Sequence, residues 1–209
     1  MKKIVLVLTC VLFPLIVSSQ DVVPLDSLNS SNGSKEIITN SSFKIQKNNI
    51  KITFLSWFTG SSKVTYERYI LPHQSMEFSV GWIGAGYDKH KNVPRGYTFR
   101  YAYKFMFFQN PKYVLDGFYV KPEFILSDFR YNPKDGTPRT RSLMGTAMGL
   151  IGYQFARNWF VADVFFGVGY AWGTPADTWY QHGFLLWDFF NTKNENISTT
   201  FGIKVGVLF

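Results

Sequence analysis

Cysteine is almost missing from this chain: Cys10 is the single one in 209 residues. It sits inside a short apolar run, so a chain that loses this run keeps neither disulfide nor thiol chemistry. Charge is also sparse, at 17% of residues. Beyond the first twenty residues no stretch is apolar for the roughly 20 positions that a membrane-spanning helix takes. The three histidines, His73, His90 and His182, lie far apart. No His, Asp or Glu cluster has ligand spacing, so no metal site is expected. No glycine loop of the phosphate-cradling kind occurs either, and no cofactor is expected. Aromatics, in contrast, make up 19% of the chain, with 21 Phe, 12 Tyr and 6 Trp beside 17 Gly. Many aromatics with a mean hydropathy of only -0.05 suit a membrane β-barrel, whose strands are apolar on one face and carry aromatic girdles.

The N-terminus has Lys2 and Lys3, an apolar run over 4–17, then Ser18, Ser19 and Gln20. A basic start, a short apolar core and small residues describe a cleavable secretory signal over 1–19, cut near Ser19. A lipoprotein signal with Cys10 as the lipidated residue competes, against the bulk of Thr9 and the long continuation of the run. Residues 20–49 are Ser- and Asn-rich with little periodicity and read as a flexible periplasmic leader. Within it, Asp26-Ser27-Leu28 matches a short O-glycosylation acceptor, which makes Ser27 a candidate modification site. Loss of Lys2 and Lys3 takes the formal charge from +8 to +6. Scattered cations on an exported chain argue against nucleic acid and for attraction to anionic lipopolysaccharide.

From residue 50 the sequence breaks into alternating segments separated by turn residues. The spacing predicts strands over 50–59, 63–70, 75–87, 95–108, 115–131, 140–155, 159–173 and 197–209, each about 8–17 residues against the 9–11 that a tilted membrane strand takes. The clearest is the fourth: Tyr97, Phe99, Tyr101, Tyr103, Phe105 and Phe107 on one side, Gly96, Thr98, Arg100, Ala102, Lys104 and Met106 on the other. Six aromatics in one row suit lipid. The expected fold is all-β, an eight-stranded antiparallel transmembrane β-barrel over 50–209 with a filled lumen. An even strand count puts both termini on the periplasmic side. Loops at 60–62, 88–94, 132–138 and 174–195 are then outer, and turns at 71–74, 109–114 and 156–158 periplasmic.

The last segment alternates strictly. Phe209, Val207, Val205, Ile203 and Phe201 form an apolar row against Gly206, Lys204, Gly202 and Thr200. This pattern is like the closing strand of outer-membrane barrels, where a terminal Phe and its alternating partners are read by the barrel assembly machinery. Phe209, Val207 and Val205 are therefore the expected assembly signal.

The same alternation places Glu67, Glu77, Arg100, Lys104, Lys121, Glu123, Asp163 and Lys204 inside, four acids and four bases. A barrel of eight strands is just filled by side chains, so these are expected to pair as a charge-balanced lumen network rather than to line a pore. Gly81, Gly117, Gly167, Gly169, Gly202 and Gly206 share that face, where small residues let longer neighbours cross.

Several motifs recur in order: Val64-Thr65-Tyr66-Glu67-Arg68, Ser75-Met76-Glu77-Phe78-Ser79-Val80-Gly81, Gly84-Ala85-Gly86-Tyr87, Gly117-Phe118-Tyr119-Val120-Lys121-Pro122-Glu123, Phe166-Gly167-Val168-Gly169-Tyr170 and Gly202-Ile203-Lys204-Val205-Gly206. Together they resemble a family of small outer-membrane β-barrels of Bacteroidota with no assigned activity. The resemblance spans residues 50–209 and implies fold and location, but no catalytic residues.

An acylhydrolase would need Ser, His and an acid grouped at one rim. Asp177, Asp188 and Ser142 are the groups available to His182, but nothing in their spacing brings them together, so no enzyme is expected. The apolar stretch 183–190 in the last loop makes Trp187 and Phe189 candidate contacts for a ligand or partner. Three classes follow: a structural or accessory barrel, a subunit or partner of a larger envelope complex; a surface ligand- or lipid-binding barrel; and a lipid-modifying enzyme as the least favoured.

Overall fold

The computed structural model describes residues 46–87, 91, 93–110, 112–132, 138–173 and 197–209. The expected signal peptide, Ser27, His90, His182, Trp187 and Phe189 lie outside the described residues.

The chain forms eight strands: β1 (Asn48–Thr53), β2 (Ser61–Leu71), β3 (Gln74–Ile83), β4 (Arg95–Phe107), β5 (Gly117–Tyr131), β6 (Thr140–Arg157), β7 (Phe160–Gly173) and β8 (Ile197–Leu208). Each pairs antiparallel with its sequence neighbour, and β8 returns to β1, which closes the barrel. The architecture is thus the all-β, eight-stranded antiparallel barrel that the alternation predicts.

The ladders are unequal. β5 and β6 are matched over fifteen residue pairs, from Gly117↔Gln154 to Tyr131↔Thr140. β1 holds only five pairs with β2 and five with β8. β1 is short because the expected strand over 50–59 stops at Thr53 and becomes a 3-10 turn, Phe54–Thr59. Its residues Phe54, Leu55, Trp57 and Phe58 are apolar without alternation, so no continued strand keeps them all on one face. Ser56 Oγ donates to the Thr53 carbonyl at 2.7 Å, a local bond that competes with the ladder. Gly60, at φ 74°, ends the turn in the left-handed conformation. β1 at 6 residues and β6 at 18 both depart from the expected range of strand lengths.

Alternation sorts the walls. The outward row of β4 is Tyr97 to Phe107, with Phe99 59% exposed; on β5 it is Phe118, Val120, Phe124 and Leu126. Exposed strand charges on the outer face occur only near the ends: Arg68 and Arg157 by the turns, Arg95, Asp128, Arg130 and Arg141 by the loops. Between these rims the outer face carries no charge and, apart from Thr199, is apolar or aromatic on all eight strands.

The lumen is filled. At the turn end Met106, Leu115, Ala156, Val161 and Leu208 pack together, and Ile125, Met148, Leu150 and Phe165 extend the cluster along β5–β7. At the loop end Ile83, Phe129, Met144 and Ala171 form a second cluster. Gly81, Gly117, Gly167, Gly169, Gly202 and Gly206 alternate with the outward rows. Close approach requires glycine at several positions, 152 and 206 among them. A Cβ on Gly152 would lie 2.5 Å from the Tyr119 hydroxyl, and one on Gly206 would run into the Ile50 carbonyl across the β1–β8 seam.

Candidate functional site: the charge network of the lumen

The network occupies the middle of the barrel, between the two apolar clusters. Its hub is Glu77 on β3, which has four ammonium partners. Lys51 Nζ stands 2.5 Å from Oε1 and Lys104 Nζ 3.0 Å from the same oxygen; Lys204 Nζ is 3.1 Å from Oε2, which also accepts from Lys121. Glu67 on β2 takes Lys51 at 2.7 Å and Lys104 at 3.0 Å, with further bonds from Asn49 Nδ2 at 2.7 Å and Ser75 Oγ at 2.6 Å. Asp163 on β7 accepts from Lys51 at 3.0 Å and from the Tyr119 hydroxyl at 2.5 Å. Gln154 Oε1 bonds both Lys51 and Lys104 at 2.8 Å.

A second pair lies nearer the loop end. Arg100 donates to Glu123 Oε1 at 2.9 Å. Lys121, 3.3 Å from Glu123, joins this pair to the hub. All eight charged residues assigned to the lumen by alternation therefore sit in one connected network. Lys104 also stands 4.1 Å from the Tyr119 ring centre, and Lys204 5.1 Å from that of Phe165, both in cation–π range.

The expected balance of charge is not met. Two further cations face inward, Lys51 and Lys63, both essentially buried. Among the described residues, six cations (Lys51, Lys63, Arg100, Lys104, Lys121, Lys204) therefore face four carboxylates (Glu67, Glu77, Glu123, Asp163), an excess of two positive charges. Lys51 was legible, because it lies between the outward Ile50 and Ile52. Lys63 directly follows the expected turn at 60–62, where a lysine reads as solvated. Asn49, Tyr119 and Gln154 are neutral and carried no signal beyond their inward parity.

Taking an ion out of water costs several kcal/mol, recovered only when its remaining donors or acceptors are satisfied. The four carboxylates meet that condition with multiple cations each. Such an arrangement holds opposite walls together and leaves none of these four carboxylates free as a base. Among the described residues no group of three His, Cys, Asp or Glu side chains is placed to hold a metal ion. His73 sits in the β2–β3 turn at φ 63°, and Ser142 is buried in the lumen near the loop end. Phe209, Val207 and Val205 lie on the outer face, 51%, 44% and 37% exposed.

No protein-family model matches the chain, and no curated protein matches it. Among solved structures, the chain is similar to the crystal structure of the N-terminal β-barrel domain of Pseudomonas aeruginosa OprF. The identity is 12% and the TM-score 0.48, over 79% of this chain and 98% of that one.

Proposed function

We propose that this chain is an integral outer-membrane β-barrel with a structural or accessory role, a subunit or partner of a larger envelope complex. The observation that carries the reading is the outer face: eight strands whose exposed surface between the rims holds no charge. Water would leave that surface unburied, whereas a bilayer buries it and accepts a closed barrel because every strand has two neighbours. The described lumen, plugged by two apolar clusters and a salt-bridge core, favours a structural over a conducting role. The reading includes an exported precursor, loops on the cell surface next to lipopolysaccharide, and insertion guided by Phe209, Val207 and Val205. Kinship with the small Bacteroidota barrels, on the motifs between Val64 and Gly206, belongs to the same proposal, as does the lack of catalysis.

A tagged copy is expected in the outer-membrane fraction, resistant to alkaline extraction, with a gel mobility that changes on boiling. Recovery as a soluble protein without detergent would overturn the reading. Mild-detergent pull-down with mass spectrometry then tests the accessory role, for which a stoichiometric envelope protein is the supporting result. A second reading, surface binding of a ligand or lipid, has one feature in its favour. Phe54, Trp57 and Phe58 stand exposed on the 3-10 turn at the loop end. A lone monomer whose retained lipid is lost in Trp57→Ala would select it.

A further inference from the structure

Lys63 is the odd member of the lumen. It is 2% exposed, and its Nζ makes no hydrogen bond. It borders a small cavity at the height where β1 gives way to the 3-10 turn, and Arg100 and Lys204 border the same cavity. The other polar lining is hydroxylic: Thr53, Thr65 and Ser79. Thr65 and Ser79 bond each other at 2.7 Å, so one of the two hydroxyls keeps a proton to offer elsewhere. Among the described residues no carboxylate lines the space. Glu123 is engaged by Arg100 and Lys121, and Glu77 by four lysines, Lys204 among them.

Three cations and three hydroxyls around one buried space describe a site for negative charge. Size narrows the class. The space open to the centre of a water-sized sphere is about 10 Å³, close to what one water occupies, which suits a monatomic ion and excludes a phosphate or sulfate with its four oxygens. The excess of two positive charges in the lumen supplies the reason for an anion rather than a water. Like charges in a low-dielectric interior repel strongly, and an anion here is attractive to all three at once. We propose that the barrel encloses one small monovalent anion of the halide class, chloride in its natural setting, between Lys63, Arg100 and Lys204. Ile83, Phe129, Met144 and Ala171 pack together on the loop side of the barrel.

The test folds the full mature chain from denaturant into detergent micelles in sodium chloride, sodium bromide or sodium gluconate at matched ionic strength. The readout is the temperature at which half the protein loses its compact gel mobility. The expected result is a midpoint several degrees higher in chloride and bromide than in gluconate, rising with the logarithm of halide concentration as bound-ligand linkage requires. In Lys63→Met, which removes the unpaired charge and keeps the stem, the midpoint is expected to be the same in all three salts. A wild-type midpoint indifferent to halide means that the cavity holds only water, and overturns the proposal. So does a halide effect that survives in Lys63→Met, because the ion then acts elsewhere. Should that variant not fold, anomalous diffraction from wild-type crystals grown in bromide decides: a peak between Lys63, Arg100 and Lys204 supports the site, and its absence there overturns it.

Discussion

The barrel has a strong wall and a weak seam. On the β5–β6 wall, fifteen matched pairs run along two long strands, and Ile125, Met148 and Leu150 fill the lumen behind them. At β1 the ladder is five pairs on each side, and behind it stand Asn49 and Lys51. Where the backbone ladder is long, apolar side chains share the lumen face with Lys121, Glu123 and Gln154; where it is short, at Asn49, Lys51 and Thr53, the lumen face is polar throughout. Lys51 reaches from β1 to Glu67 on β2, Glu77 on β3, Gln154 on β6 and Asp163 on β7. The side chain thus ties the shortest strand to the far side of the barrel. The salt bridges of Lys51 act as cross-braces for a strand with few backbone bonds, whereas on β5 and β6 apolar packing joins a long ladder to the same network.

This contrast breaks most severely at the hub. Glu77→Ala leaves four buried ammonium groups short of a partner and is expected to destabilise the barrel by about 3–5 kcal/mol; the check is urea unfolding in detergent. On the strong wall the vulnerable side is the outer one. Phe124→Arg places a charge mid-strand on the proposed lipid face, at an expected cost of about 2–4 kcal/mol, measured by unfolding in lipid vesicles. The same substitution should be far milder in a protein surrounded by water, so the result also tests the membrane reading. Lys51→Met sharpens the comparison rather than destroying it. Glu67, Glu77 and Asp163 each keep Lys104 within 3.6 Å, so the loss is expected near 1–3 kcal/mol, the usual range for an unmade buried bond. Its signature is local: amide exchange should rise in β1 and in β8 residues 204–208 before it rises in β5 and β6. The smallest effect belongs to Arg141→Ala. That ion pair with Asp128 is fully at the surface, with side chains 61% and 46% exposed, and exposed pairs contribute little. No measurable change in the unfolding midpoint is expected.

Parity made most of the barrel legible. A strand that separates lipid-compatible rows from a polar lumen has to write a period of two, and Tyr97 to Phe107 does so without a break. The same parity placed eight charged residues inside. What parity does not carry is which of them meet across the lumen. Lys204 and Glu77 are 127 residues apart, and their contact depends on the stagger of the closed barrel, which no single strand records. The truncation of β1 was hidden for a different reason. Phe54, Leu55, Trp57 and Phe58 are good strand formers by type, and only their lack of alternation signals a turn. Read as strand, the run predicts a first segment that overruns Thr53 by six residues and sets Lys63 beside the wrong kind of turn, where its burial is not visible.

The meeting of Asn48 with Phe209 has a kinetic side. Asn48 donates to the Phe209 carbonyl at 3.1 Å, and the Phe209 amide returns the bond at 2.9 Å. Every other strand contact joins sequence neighbours, so a growing sheet gains each hairpin at small entropic cost, whereas this last one closes a loop the length of the entire barrel. Until it forms, β1 and β8 are open edges, able to pair with any other strand within reach. The slowest step in maturation is thus expected to be one of the two shortest ladders, that of β1 with β8, and a host that shields one edge while the other approaches controls how fast the barrel becomes a barrel.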